Sequence, residues 1–578
     1  MFRFPFFSVL ILHHLTFYSQ NIFTDITKES GIDHIYNIFE SGGFGGGVAV
    51  FDFDSDGFED LYLAGGKKSG VLYKNNGDST FSDVTISAGL VTSDIITAGA
   101  TTADVNKDGY IDLFVTTIAE KISNSKYKKL AKNLLFLNNG DGTFSRATEQ
   151  FKLDIKNFST GATFGDINSD GYPDLFIGNY FKDFVGNLGV LNGFTISDDY
   201  KPGNDELYLN IEGKYFKNVS YLLDGCEPGY GFGGVFSDVD NDGDLDLYLI
   251  NDFGEQKVSN QLLINEYPRL KFSNKSKEMN ADSAVHAMGT AVGDYNNDGW
   301  MDYQVTNIFS GPLLVNRGNT EGFLDLSNEL GVGIDIIASK AGPSTAVISW
   351  SPVFLDYDND LDLDLFNSIG GINPPTMYLK DFLYENMGRV FKVNENSGIN
   401  DYGISRGTVK FDFDNDGDLD LFVVKQTPLW KDYNSKERVK SKLFRNDTKN
   451  DNNWLKVSLN GNESTSRGLG ARVKIVCAGN NLMREVDGGS SHISQNTSIL
   501  HFGLGDLNKI DTLIVTWPGG KKQILTEIPI NDHINIDEIE SKEESFIDWI
   551  VNFFNFASWY NLQEFLSYPY SYFHVQKK

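Results

Sequence analysis

Cysteine is almost missing: Cys226 and Cys477 are the only two in 578 residues. Two thiols so far apart make no disulfide framework. With no CxxC or Cys/His cluster there is no structural zinc site either; the two either pair with each other or are buried thiols, and buried thiols are the expected reading. Basic residues are outnumbered, 49 Lys and Arg against 79 Asp and Glu, a net charge of -30. That field repels nucleic-acid phosphates and anionic membrane surfaces. Proline is scarce at 14 residues while glycine reaches 58, which suits tight turns between short strands rather than flexible linkers. The N-terminal apolar run, Phe4 to Leu12, is too short to cross a bilayer. It follows Arg3 and precedes the more polar His13 to Gln20, the layout of a secretory signal peptide. Residues 1–20 are therefore expected to be a signal and the protein to be secreted. Hydrophobic residues at 40% and aromatics at 13% exclude disorder of the chain as a whole.

The acidic excess is concentrated in one recurring nonapeptide, Asp-x-[Asp/Asn]-x-Asp-Gly-x-x-Asp, present seven times. The first copy is Asp52, Asp54, Asp56, Gly57, Asp60; the second is Asp104, Asn106, Asp108, Gly109, Asp112. The third is Asp166, Asn168, Asp170, Gly171, Asp174; the fourth is Asp238, Asp240, Asp242, Gly243, Asp246. The fifth is Asp294, Asn296, Asp298, Gly299, Asp302. The sixth, Asp356, Asp358, Asp360, Asp364, carries Leu361 in place of glycine, and the seventh is Asp412, Asp414, Asp416, Gly417, Asp420. Five residues before each copy stand Gly47, Gly99, Gly161, Gly233, Gly289, Ser351 and Gly407, marking an inner strand where backbones crowd too closely for a side chain. After each copy comes a short apolar strand, then an Asn-containing hairpin such as Leu72–Gly77 running to Phe81. Three or four short strands cannot bury their faces alone, and a ring of such units solves that. The fold class expected is all-β: a seven-bladed β-propeller over residues 21–447, with calcium-binding loops, followed by a small C-terminal β-sandwich-like domain. Phe23–Thr27 matches the post-hairpin strand of other units, so the N-terminus is expected to complete the last blade.

Four acids within nine residues repel one another unless a cation sits among them. Oxygen ligands at positions 1, 3, 5 and 9, with a backbone carbonyl at position 7, meet calcium's demand for six to eight oxygens. The carbonyl is supplied by Phe58, Tyr110, Tyr172, Asp244, Trp300 and Asp418 in the loops where a residue is assigned to it. Position 12 carries no consistent Glu and the flanks read as strands, so the loops are not EF-hands. Up to seven Ca2+ ions are expected, pinning the strand turns. Weak or absent binding is expected at Asp356–Asp364, where Leu361 resists the left-handed turn.

From Asn453 the pattern changes to short strands split by glycine turns: Trp454–Leu459, Arg467-Gly-Leu-Gly-Ala-Arg472, Gly488-Gly489-Ser-Ser, His501–Gly505 and Val515–Gly520. No GK[ST] or helix follows these glycines, which excludes a phosphate loop. This domain is placed at 451–537. The tail, 541–578, is aromatic and amphipathic, and contact with the protein itself, a sister subunit or a membrane surface is open.

The Asp loops with their Leu-Tyr-x-Asn-x-Gly hairpins resemble the FG-GAP/VCBS repeats of integrin α-chain propellers. Arg467–Arg472, His501–Gly505 and Val515-Thr-Trp-Pro-Gly-Gly520 resemble the ASPIC/UnbV domain. Together they are similar to the cartilage acidic protein family over roughly residues 21–537. The resemblance implies a secreted, calcium-binding protein, associated in animals with the extracellular matrix. The expected function is an extracellular binding or adhesion module whose partner is a protein or a glycan. It is expected to act through blade-connecting insertions at Ala119–Asn133 (rich in lysine), Tyr180–Glu206 and Lys425–Lys442. The alternative is a calcium-dependent polysaccharide lyase or hydrolase, but no HExxH or GxSxG occurs, the eight histidines are scattered, and no catalytic residue is assigned. His286, beside Met288 and Gly289, is expected to pack at the channel. Six Asn-x-Ser/Thr sequons, at Asn157, Asn218, Asn274, Asn446, Asn462 and Asn496, bear on the protein only if it passes a eukaryotic secretory route.

Overall fold

The computed structural model describes residues 22–39, 45–122, 126–183, 195–223, 225–318, 321–333, 347–371, 379–399, 402–428 and 439–540. The expected signal (1–20) and tail (541–578) lie outside them. The chain divides into two units, Met1–Glu538 and Ile539–Lys578, and every described strand belongs to the first.

Small and β-branched residues before each Asp loop form the first strand of an antiparallel sheet, and the apolar triplet after the loop forms the second. The Asn hairpin supplies the third and fourth. Seven such sheets are present among the described residues. Their first strands are Val48–Phe51, Ile95–Ala103, Lys156–Gly165, Tyr230–Ser237, Thr290–Gly293, Ser349–Leu355 and Ser405–Phe411. Each of these contacts the next, and the last contacts the first, so the sheets close a ring as the blades of a propeller. The seventh blade takes its outer strand from the N-terminus: Phe23–Asp25 pairs antiparallel with Lys442–Asn446, Phe23 opposite Asn446. The ring is thus fastened by residues more than 400 positions apart in sequence. Apolar side chains from adjacent blades fill the gaps between them, as Phe51, Phe53, Leu72, Leu113 and Phe144 do between blades 1 and 2.

The C-terminal residues form two sheets. One has three strands, with Asn453–Asn460 between Leu500–Gly505 and Asp532–Asp537. The other is antiparallel, in the order Asn480–Glu485, Arg472–Cys477, Thr512–Thr516, Lys522–Leu525. Leu455, Val473, Ile475, Phe502, Val515 and the fully buried Trp517 make their common core, which is continuous with Phe164, Leu175 and Tyr208 of the propeller. Both cysteines are unpaired; Cys477 is buried and Cys226 half-buried. Among the described residues no helix is long and apolar enough to cross a membrane.

Candidate metal centres

Each Asp loop is built by its own acids. The carboxylate at position 1 accepts the N–H groups of positions 5 and 6: Asp52 from Asp56 and Gly57, Asp166 from Asp170 and Gly171, Asp412 from Asp416 and Gly417, at 2.8–3.1 Å. Asp104, Asp238, Asp294 and Asp356 do the same. Position 5 accepts the N–H of position 7, as Asp108 does from Tyr110 and Asp298 from Trp300. Two residues per loop are left-handed. Position 6 holds glycine in six loops, and position 4 holds Ser55, Lys107, Ser169, Asn241, Asn297, Asn359 and Asn415, all at φ between 53° and 62°. Leu361 was expected to resist this turn, yet it adopts φ 88° and donates its N–H to Asp356 like the glycines elsewhere. Its side chain packs on the C-terminal core beside Gly505, which offsets the backbone strain.

The acid at position 9 is committed in a way the spacing does not reveal. One oxygen accepts the N–H of position 2, and the other accepts the N–H of the hairpin asparagine, as Asp60 does from Phe53 and Asn75. That asparagine then donates its amide across to the position-2 carbonyl of the preceding blade. The pairs are Asn75 to Phe413, Asn138 to Phe53, Asn210 to Val105, Asn265 to Ile167, Asn316 to Val239, Asn386 to Tyr295 and Asn446 to Tyr357, at 2.6–3.2 Å. The result is an unbroken circle of seven clamps, all buried. The repeated Leu-Tyr-x-Asn letters carried this signal, but its reach from blade to blade is not local. Asn138→Ala leaves two buried carbonyls, of Phe53 and Ile111, without their donor. A loss of about 2 kcal/mol is expected, readable by urea unfolding.

Three carboxylate groups converge within 4.8 Å in four loops: Asp52, Asp54 and Asp60; Asp238, Asp240 and Asp246; Asp356, Asp358 and Asp360; Asp412, Asp414 and Asp420. The other three loops have asparagine at position 3, whose amide bonds the position-5 acid, Asn106 to Asp108, Asn168 to Asp170 and Asn296 to Asp298. Buried oxygens of Asp54, Asp414, Asp244 and Asp362 have no hydrogen-bond partner among the described residues, a cost that a bound cation or water removes. Burial pushes Asp60 and Asp112 up to about 8, Asp166 to about 7 and Asp238 to about 6, with the neighbouring loop acids adding to it, while Asp174, Asp246, Asp302, Asp364 and Asp420 rise well above the carboxylate range. Oxygen-only donors, orphaned atoms and mutually raised acids all fit a hard divalent cation. A cation there supplies charge neutralisation and fixes the turn.

The C-terminal module stands on the loops. Lys456 pairs with Asp412 at 2.6 Å, both nearly fully buried, and donates to Asn415. Arg472 pairs with Asp238 and with Glu485. Ser466 donates to Asp104, Thr497 to Glu59, and the Gly505 and Gly519 N–H groups to the Asn359 and Gly243 carbonyls. From this cover, residues 488–497 descend into the ring. Ser491 and Thr290 exchange backbone hydrogen bonds, Gln495 bonds Val50 and Val48, and the Ile493 carbonyl accepts from Ala100. A Cβ on Gly47 or Gly99 would lie 2.2 or 2.7 Å from the Ile493 carbonyl oxygen. Gly47, Gly99 and Gly289 are therefore required by neighbouring blades and also by this plug. Ser351, the exception among them, uses its hydroxyl to bond Ser491 and to accept from the Thr408 N–H.

The second strands end, and the third strands begin, at the opposite end of each blade from the Asp loops, because the strands are antiparallel. There Asp252 accepts from the Tyr180 hydroxyl at 2.5 Å and meets His286 Nδ1 at 2.8 Å. His286 is buried, held by that carboxylate and packed on the Phe253 ring.

Comparison with known proteins agrees with both halves. The FG-GAP-like repeat family matches residues 37–115, 123–177 and 238–305, and the ASPIC and UnbV family matches residues 461–543. Human cartilage acidic protein 1 is 29% identical over 248 residues, 42% of this chain and 34% of that protein. Its Xenopus tropicalis counterpart is 28% identical over a stretch of the same length. The chain thus spans about a third of the length of the curated relatives it matches. Among solved structures, a BBS1N–ARL6DN complex has TM-score 0.40 at 8% identity, covering 75% of this chain and 99% of that one. An Agrocybe aegerita lectin specific for non-reducing terminal N-acetylglucosamine has TM-score 0.35 at 14% identity, covering 61% and 82%. The chain thus carries stretches that match the FG-GAP-like repeat family and, after them, a segment that matches the ASPIC and UnbV family, and over less than half its length it is similar to cartilage acidic protein 1.

Proposed function

We propose that this is a secreted, calcium-stabilised binding module that engages an extracellular protein or glycan through the propeller face opposite the Asp loops. The observation that carries this reading is the cover: the C-terminal module occupies the loop face and its Ser490–Gln495 segment fills the ring from that side. The cations then serve the scaffold, and recognition falls to the other face, where the described strands that lead into the insertions at 119–133, 180–206 and 425–442 end. Lys129 and Lys132 belong to one of these, in a protein of net charge -30, and suit an acidic partner. An enzyme is the second reading. The Tyr180–Asp252–His286 network on that same face is what favours it, since a carboxylate-held imidazole is the usual form of a general base.

Capture of matrix proteins and acidic and neutral polysaccharides on immobilised protein tests the two together, in calcium and in chelator, with products followed by mass. Binding without turnover, reduced by a lysine-to-glutamate change in the 119–133 insertion and untouched by one at Lys522 of the C-terminal module, is expected. New glycan products, abolished by His286→Ala, support the enzyme instead.

A further inference from the structure

A cavity of about 280 Å3 lies between the loop face of blades 1 and 2 and the C-terminal module. Asp52, Glu59 and Asp104 line it from the propeller; Arg467, His533 and Asn535 line it from the module. Glu59, 7% exposed, spends one carboxylate oxygen on the Thr497 hydroxyl and has no partner for the other among the described residues. Arg467 makes no hydrogen bond or ion pair among the described residues, although three carboxylates share its cavity. The two glycines after it, Gly468 and Gly470 at φ 65° and 81°, turn the chain so that Arg472 reaches Asp238 while Arg467 is left at the cavity. A guanidinium and a carboxylate that line one space without touching present complementary charges to whatever fills it.

We propose that this cavity binds a small solute carrying a carboxylate with amine or hydroxyl donors a few bonds away. The guanidinium fork takes the carboxylate in a bidentate pair, and Glu59 and the Asn535 amide take the donors. The volume is at the small end of ligand sites, so it admits one amino acid or one sugar acid and not an oligomer.

Titration calorimetry on the full chain in calcium tests this, with glycine, alanine, glutamate, glucuronate and galacturonate, and with glucose as the carboxylate-free control. Saturable binding of at least one carboxylate and none of glucose is expected, and the arm that binds identifies the source. Because Arg467 makes no hydrogen bond or ion pair among the described residues, Arg467→Gln is expected to leave the melting temperature and calcium uptake unchanged while weakening binding about tenfold or more. Asn535→Phe, which fills the cavity, is expected to weaken it similarly. No saturable carboxylate binding, or equal affinity in Arg467→Gln, overturns the proposal.

Discussion

Chelating calcium is expected to lower the melting temperature on the order of 10 °C, and to do so far more at about pH 8 than at about pH 5. Each loop with a dissociation constant of roughly 0.1–1 mM contributes about 0.5–1.5 kcal/mol at millimolar calcium, and seven contributions add around one ring. The pH dependence has a definite sign. Without a cation, the folded-state values of Asp60 and Asp112 rise from 3.8 to about 8 through burial and neighbouring acids. Such a group contributes stability that is fully present below its unfolded value and is lost as pH rises through the folded one. The calcium-free fold therefore weakens between about pH 4 and 8. Calcium binding requires the ionised carboxylates and releases protons, so its affinity climbs over the same window. Calorimetric melts at several pH values, with and without chelator, check this. A calcium effect independent of pH, or greatest at acid pH, contradicts it.

The second large effect concerns the docking of the C-terminal module. Gly99→Val is expected to prevent folding, costing more than about 4 kcal/mol, because its Cβ alone would stand 2.7 Å from the Ile493 carbonyl and 2.9 Å from that of Thr160, both of them main-chain atoms. Lys456→Met acts at the same interface by another route. It strips the ammonium from Asp412 and leaves a buried carboxylate without its partner, for a loss of about 3–5 kcal/mol. Calcium distinguishes the two variants. Asp412 is also a ligand candidate of the seventh loop, so the Lys456→Met deficit is expected to shrink in calcium, whereas the Gly99→Val defect is not, being steric. Urea unfolding of both variants in calcium and in chelator separates them. An equal Lys456→Met deficit in the two conditions contradicts the assignment of Asp412 to a cation site.

How much was legible in the sequence depended on whether the information was local. The Asp loops, the strand after each and the closing role of Phe23 could be read because the same side chains recur at the same offsets, and each blade makes most of its hydrogen bonds within one repeat. The crowding that Gly47, Gly99 and Gly161 imply was also readable. Its cause was only half so: neighbouring blades crowd them, but so does Ile493, some 390 residues beyond Gly99. The Gly488-Gly489-Ser-Ser stretch reads as a turn, and nothing in its periodicity says that it enters another domain. The asparagine clamps repeat plainly as letters, but their acceptor is a main-chain carbonyl, which leaves no trace in side-chain identity. Leu361 misled for a related reason. The φ cost of a non-glycine residue is intrinsic and visible, while the burial beside Gly505 that offsets it is tertiary. Lys456, Arg472 and Ser466 look like ordinary polar residues of short strands and turns until the loops they satisfy are placed opposite them.

Cation-bearing loops, module and plug are expected to behave as one cooperative assembly. Hydrogen exchange followed by mass spectrometry over peptides spanning 484–498 and the Asp loops tests this most directly. The amides of Ser491 and Gln495 bond the propeller backbone. They should be protected as strongly as those of Gly109 and Gly171 in calcium, and on chelation all four should lose protection together, with Lys456→Met moving both regions in the same direction. Plug amides that exchange freely in calcium while the loops stay protected would contradict a single assembly.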